Sequence, residues 1–232
     1  MAYKAGERQA RREIARTRLL DAARELFMHQ GYAVTTMAQV VQRAGTSIGN
    51  CYFYFPNKEA LLRGVVEDFA RCIAREIDVA AGTVPAGPAQ LAIALARGVE
   101  FALEQKELAR VLLVETRQPE LRSLVLGYFA ARMPHFLDEG GITNPSAERK
   151  WIVLAYQGSV FQLLEAVMTG ELQEDARTLA RFLIRWNLQA MGLTPEAVGQ
   201  ALAAVDKRSD AVDTGDGPPA FQLCPNIPIQ KE

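Results

Sequence analysis

Histidine, cysteine and tryptophan are scarce in this 232-residue chain, at two, three and two residues. Each shortage excludes a kind of chemistry. His29 and His135 stand far apart. Neither sits in an H-E-x-x-H metal motif, and there is no Gly-rich phosphate loop, no G-x-S-x-G turn and no paired-carboxylate constellation. No enzyme, metal or cofactor is therefore expected. Cys51, Cys72 and Cys224 are odd in number and widely spaced, unlike a zinc ligand set or a secreted disulfide framework, so reduced thiols are expected. No apolar run approaches the roughly 20 uncharged residues of a membrane span, so no membrane partner is expected. The N-terminus carries Lys4, Arg8, Arg11, Arg12, Arg16 and Arg18 with no apolar segment behind them. It does not read as a secretory signal, and a cytoplasmic location follows. A surplus of either charge is missing too, with 26 Lys+Arg against 27 Asp+Glu. That balance argues against a nucleic-acid partner unless the charges are segregated.

They are segregated. Residues 1–60 hold nine basic residues (Lys4, Arg8, Arg11, Arg12, Arg16, Arg18, Arg24, Arg43, Lys58) against five acidic ones, a local balance of plus 4. The remainder sums to minus 5. The first 18 residues form a cationic arm, six basic to two acidic.

What is abundant is helical pattern. From Arg11 to His29, Ile14, Leu19, Leu20, Ala23, Leu26 and Phe27 recur at helical spacing before Gly31. Thr36 and Gln39 are in capping-box register for a short second helix that ends at Gly45. Thr46 or Ser47 can cap a third, through Ile48 to Tyr54, that stops before Pro56. Asn57 can cap a long fourth helix from Lys58. Two short helices across a Gly-containing turn, behind an amphipathic helix, make the pattern of a helix-turn-helix. Everything from Lys58 to Val205 also reads helical, broken at Gly82 to Pro85, Gly140-Gly141, Gly170 and Gly192. The expected class is all-α, with an N-terminal three-helix helix-turn-helix domain followed by a larger helical domain. The boundaries expected are 1–60 for the first, 61–205 for the second, and 206–232 for a disordered tail rich in Asp, Gly and Pro.

The run from Ile14 to Phe27, Gly31-Tyr32, Thr35-Thr36, Ala44 to Asn50, and Tyr52-Phe53-Tyr54-Phe55-Pro56-Asn57-Lys58-Glu59-Ala60-Leu61-Leu62 resembles the DNA-binding domain of the TetR family of bacterial transcription regulators. The resemblance covers about 50 contiguous residues with the internal spacing of that family. It implies contact with double-stranded DNA through Thr36, Tyr52, Tyr54, Lys58 and Arg16 at the phosphates, with donors suited to that work. It places Thr46, Ser47, Ile48, Gly49 and Asn50 on the first turn of a recognition helix. Gly49 permits close approach, Asn50 suits an adenine edge, and Ile48 offers only a methyl surface, for example to thymine. Many members carry Lys where Ile48 stands, which implies that one phosphate or guanine contact is missing. The basic arm, Lys4 to Arg12, is in place to reach a minor groove. Taken alone, Thr36 and Ser47 serve as ordinary caps, Cys51 and Phe53 as core, and Tyr54 as packing against the first helix.

Trp151 to Met168 is apolar on nearly every face, so it must be buried on two sides. The resemblance implies that this helix and the next pair with their copies in a homodimer, with Val160, Leu164, Met168, Phe182 and Trp186 as candidates. It also implies an effector cavity. Phe69, Phe101, Tyr128, Phe129, Met133, Trp151, Tyr156 and Phe161 can line one, with Gln157 and Arg117 to orient a small apolar or aromatic effector. Each of these aromatics is equally compatible with plain core. The function expected is a ligand-responsive repressor acting on a pseudo-palindromic operator. The alternatives are an architectural, chromosome-organising DNA binder without effector, and a helical interaction module that has lost DNA binding.

Overall fold

In the computed structural model, residues 2–111, 114, 120–121, 125, 127, 138 and 146–213 are described. Side chains are described from Arg12 onward, except at 146–147 and 211–213. Among the described residues there are helices and turns and no strand, as an all-α chain requires. The helices are α1 (Ala2–Gln30), α2 (Met37–Ala44), α3 (Ile48–Tyr54), α4 (Lys58–Ala81), α5 (Pro88–Glu104), α6 (Lys106–Arg110), α7 (Ser146–Thr169), α8 (Ala176–Ala190) and α9 (Pro195–Asp213).

Local chemistry sets the N-terminal boundaries. Thr36 Oγ1 accepts the Gln39 amide at 3.3 Å while Gln39 Oε1 accepts the Thr36 amide at 2.8 Å, a complete capping box. Gly45 closes α2 in the left-handed region at φ 62°, where a Cβ would be strained. Ser47 caps α3, and Asn57 caps α4 by accepting the Ala60 amide at 2.7 Å. Leu19, Leu20, Ala23 and Phe27 form the fully buried stripe of α1 that α2 and α3 cover.

The N-terminal three helices do not stand apart from the rest. One buried cluster runs from Leu19 to Val205, with α4 shared between the two halves. Gly64 makes that junction tight: a Cβ there would lie 2.9 Å from Phe55 Cε1 and 3.0 Å from Leu20 Cδ2. Arg24 of α1 and Asp68 of α4 form a buried ion pair across it, flanked by Asp21 (Arg24 Nη1 to Oδ1, 3.1 Å) and Arg71 (Nη2 to Asp68 Oδ1, 3.1 Å). Beyond α4 the organiser is α5, buried without interruption from Leu91 to Val99 and packed by α4, α6, α7, α8 and α9.

Two sequence expectations need correction. The basic N-terminus is not an extended arm: helix α1 begins at Ala2, ahead of the expected Arg11. Regular structure also does not stop at Val205, because α9 continues to Asp213. Asp206 accepts hydrogen bonds from Arg177 (3.1 Å) and Arg181 (2.7 Å) of α8, and Arg208 reaches Glu100 of α5 at 3.3 Å. These charges, which looked like tail composition, dock the last turns of a helix. The rest of the expected tail, 214–232, lies outside the described residues.

Within α7, the stretch Glu148–Thr169 is long and apolar enough to cross a membrane, yet 39% of its most apolar window is buried inside the chain. Its inner side meets α5, α6 and α8. Its outer side, Trp151, Leu154, Ala155, Gly158 and Gln162, recurs at three- and four-residue spacing and is exposed.

Candidate nucleic-acid interface and internal cavity

Helix α3 presents its first turn and its aromatic end outward. Ile48 is 47% exposed, and a Cβ built on Gly49 would meet nothing within 4 Å. Ser47 Oγ accepts the Asn50 amide at 3.2 Å, and Asn50 Nδ2 donates to Thr46 Oγ1 at 2.8 Å. The Asn50 amide is thereby fixed, with one N–H and its carbonyl oxygen still available. On the inner side Cys51 is fully buried, and burial pushes its thiol pKa up, so it serves as core. Phe53 is not core. It is 68% exposed, and the Arg12 guanidinium lies over its ring at 5.9 Å. Arg16 lies over Phe55 at 5.6 Å. Two arginines one helical turn apart on α1 thus rest on the aromatics at the end of α3, a cation–π arrangement that holds them beside that helix. Tyr52 is exposed as well, while Tyr54 is partly buried against the core and against Phe53.

Two expected phosphate contacts look different in three dimensions. The Thr36 hydroxyl and amide are both engaged by Gln39 Oε1, at 3.0 and 2.8 Å. Lys58 turns inward: its Nζ lies 3.0 Å from each of the carbonyl oxygens of Tyr32, Ala33 and Thr35, and 4.5 Å from the Tyr32 ring centroid. Three N–H groups on three carbonyls leave no donor to offer a phosphate. Lys58 closes the loop between α1 and α2.

In the second half a cavity opens between α4, α5 and α7, lined by Phe69, Ile73, Ala94, Leu95, Gly98, Val99, Ala102, Val125, Tyr156, Gln157, Val160, Phe161 and Leu164. It leaves about 30 Å³ for the centre of a water molecule, room for about two waters. The Gln157 side chain is buried at its wall, and burial pushes the Tyr156 hydroxyl pKa up, so that group stays protonated. Of the residues expected here, Phe69, Tyr156, Gln157 and Phe161 do line the cavity. Phe101 sits behind it, its ring 5.5 Å from that of Phe69. Trp151 points away and is 69% exposed, which removes it from the cavity. Arg117, Tyr128, Phe129 and Met133 lie outside the described residues. The apolar wall supplied by α5 was missed, because Ala, Gly and Val at helical spacing signal nothing beyond burial.

The expected pairing surface is re-sorted in the same way. Phe182 and Trp186 on α8 are exposed and stacked on each other, 6.2 Å apart and 12° from parallel. Val160, partly buried, and Leu164 instead line the cavity, and Met168 is buried within the chain. The exposed residues of α7 are instead those of its outer face, led by Trp151 and Leu154. Gly158, with open space where a Cβ would stand, lies on the same face. Among the described residues no cluster of His, Cys, Asp and Glu could hold a metal ion.

These features have clear counterparts. Residues 19–65 match the model of the bacterial regulatory proteins of the tetR family. An uncharacterized HTH-type transcriptional regulator of Mycobacterium tuberculosis is 30% identical over 148 residues, spanning 62% of this chain and 73% of the relative. The HTH-type transcriptional regulator SrpR of Pseudomonas putida is 26% identical over 96% of this chain and 95% of its own. In fold, the chain is similar to the transcriptional regulator FadR of Bacillus subtilis, solved in complex with stearoyl-CoA. The TM-score is 0.64 at 20% identity, over 74% of this chain and 96% of that one. A capped helix-turn-helix joined through a shared long helix to a helical body, together with these relatives, shows that the chain belongs to the tetR family of bacterial regulatory proteins, which are helix-turn-helix transcription regulators.

Proposed function

We propose that the chain is a homodimeric, ligand-responsive transcription repressor of the cytoplasm, which binds a pseudo-palindromic operator and is released by a small, largely apolar effector. The observation that carries this reading is the exposed, fixed first turn of α3 with Arg12 and Arg16 held beside it. Thr46, Ser47, Ile48, Gly49 and Asn50 face the bases. Tyr52, Tyr54, Arg16 and the free amides at the start of α2 behind Thr36 grip phosphates. Trp151 and Leu154 on α7, and Phe182 and Trp186 on α8, are large apolar side chains left exposed on two helices that touch, and a second copy covers them with two-fold symmetry. Two copies then present two reading helices.

The cavity supplies the switch. At its present size it does not accept a drug-sized molecule, so an effector must part α4 from α7. Phe69 lines the cavity and Asp68, the next residue along α4, holds Arg24 of α1. Displacing α4 therefore moves the reading head. By linkage the effector weakens operator affinity by the factor by which the operator weakens effector affinity, typically about 5- to 150-fold. The small volume is also the observation that favours the second reading, an architectural DNA binder without effector.

Mobility shifts on the DNA flanking its own coding region, at about 0.15 M salt, test the proposal. Sequence-selective binding that a neutral apolar compound reverses is the expected result. Absence of any binding defeats both readings, non-selective binding defeats the repressor reading, and selective binding that no such compound from a broad panel reverses defeats the switch and leaves the architectural reading.

A further inference from the structure

The reading helix has an unusual chemistry for its task. Helix α3, I-G-N-C-Y-F-Y, carries no Lys, Arg, Asp or Glu. Among the described residues, the cations next to it are committed elsewhere. Lys58 is spent on three loop carbonyls, and Arg43 at the end of α2 makes a bidentate pair with Glu25 of α1. Arg12 and Arg16 lie against the far, aromatic end of α3. Guanine is read in the major groove most often by the forked or point donors of Arg and Lys on O6 and N7. The first turn of α3 offers no such group. It offers an exposed branched methyl surface at Ile48, beside the open space at Gly49 that lets a base edge come close. It also offers the Asn50 amide, pinned by Thr46, with one N–H and one carbonyl oxygen left, the complement of adenine N7 and N6–H.

Both features select the same base pair from opposite strands. We infer that this protein reads A·T pairs in the core of each operator half-site, Ile48 packing on a thymine 5-methyl group and Asn50 pairing with an adenine edge, and that it makes no major-groove contact to guanine there. The inference rests on the DNA-binding reading above and deepens it. The cationic attraction to phosphate comes from Arg12 and Arg16 of α1, outside the reading turn, so base choice and charge-based attraction are carried by different helices.

The test uses the full-length protein and the tightest duplex selected from a random pool. In that duplex single thymines are replaced one at a time by deoxyuridine, which deletes only the 5-methyl group, single adenines by 7-deazaadenine, and single guanines by 7-deazaguanine. One thymine per half-site is expected to weaken binding about fourfold on losing its methyl, from roughly one buried methyl's transfer free energy, and replacing both gives about fifteenfold. Ile48→Ala is expected to bind that duplex more weakly and to be indifferent to the same deoxyuridine. Asn50→Ala is expected to be indifferent to the 7-deazaadenine that weakens the parent. Deoxyuridine without effect at every core position, or a core guanine whose 7-deaza form weakens binding, overturns the inference while leaving selective DNA binding intact. Failure of the pool to yield any preferred sequence overturns the DNA-binding reading itself, and this inference with it.

Discussion

Removing the carboxylate of Asp68 should markedly destabilise the junction between the reading head and the body. Asp68 and Arg24 are both almost wholly shielded from water, and each side chain is the other's buried counter-ion across α1 and α4. Asp68→Ala leaves the guanidinium in the same low-dielectric place, with only the half-exposed Asp21 at 3.1 Å to balance it. Breaking a buried pair from one side costs about 3–5 kcal/mol. Asp21 offsets part of this, so the lower figure, about 3 kcal/mol, is the expectation. For a chain of this size that lowers Tm by roughly 6–12 °C. Arg71→Ala removes the exposed partner of the same carboxylate and should cost less than about 1 kcal/mol. The double replacement Arg24→Met with Asp68→Leu restores an uncharged, filled junction and should recover most of the loss. Urea unfolding followed by circular dichroism, at one fixed protein concentration because association stabilises the folded chain, reads all four proteins. An Asp68→Ala midpoint within about 0.5 kcal/mol of the parent, below the range for ordinary core changes, would refute the claim that this pair holds α1 to α4.

Other junctions yield further predictions. Gly64→Ala and Gly199→Ala both add a helix-favouring methyl, worth about 1 kcal/mol in an open position. Nothing lies within 4 Å of the Gly199 site, whereas the Gly64 methyl meets Phe55 and Leu20 at 2.9 and 3.0 Å. Urea midpoints should rise for Gly199→Ala and fall for Gly64→Ala, and equal signs would contradict the close approach. Trp186→Asp puts a charge in the centre of the exposed stack with Phe182, and sedimentation velocity should show monomers where the parent sediments as a dimer. Asp206 has its carboxyl held below the usual value of 3.8, chiefly by the hydrogen bond from Arg181, which outweighs the opposing effect of burial, with a further contribution from Arg177. A depressed acid stabilises above its unfolded pKa and loses that contribution as pH falls through the folded value. The stability gap between the parent and Asp206→Asn should therefore hold from pH 7 to about 4 and close below it. A gap that is constant to pH 2.5 would show that the carboxylate charge does not dock α9.

The helix-turn-helix was legible because its determinants are local. Thr36 with Gln39, Gly45, Ser47 and Asn57 each act within four residues of themselves, so their spacing along the chain is already their geometry. Phase was the information missing from α7. A helix apolar on every side does not say which side meets which neighbour, and Val160, Leu164 and Met168 turned inward while Trp151 and Leu154 turned out. Charges with distant partners were opaque for a related reason. Asp206 reads as tail composition until Arg177 and Arg181, on the preceding helix, are seen against it, and Lys58 reads as a phosphate contact until the α1–α2 loop carbonyls close over it. Phe53, taken as core from its type alone, is exposed because the buried positions of the seven-residue α3 fall to Cys51 and the following Phe55.

The most direct test of the central claim is a hydroxyl-radical footprint of the full-length protein on its selected duplex at about 0.15 M salt. A dimer presenting two α3 helices predicts two protected patches related by a pseudo-two-fold centre, spaced by about one helical turn or a multiple of it. Both patches should vanish together for Ile48→Asp, which sets a carboxylate on the exposed reading turn. A single patch, or protection spread evenly along the duplex and unchanged by Ile48→Asp, would contradict the account.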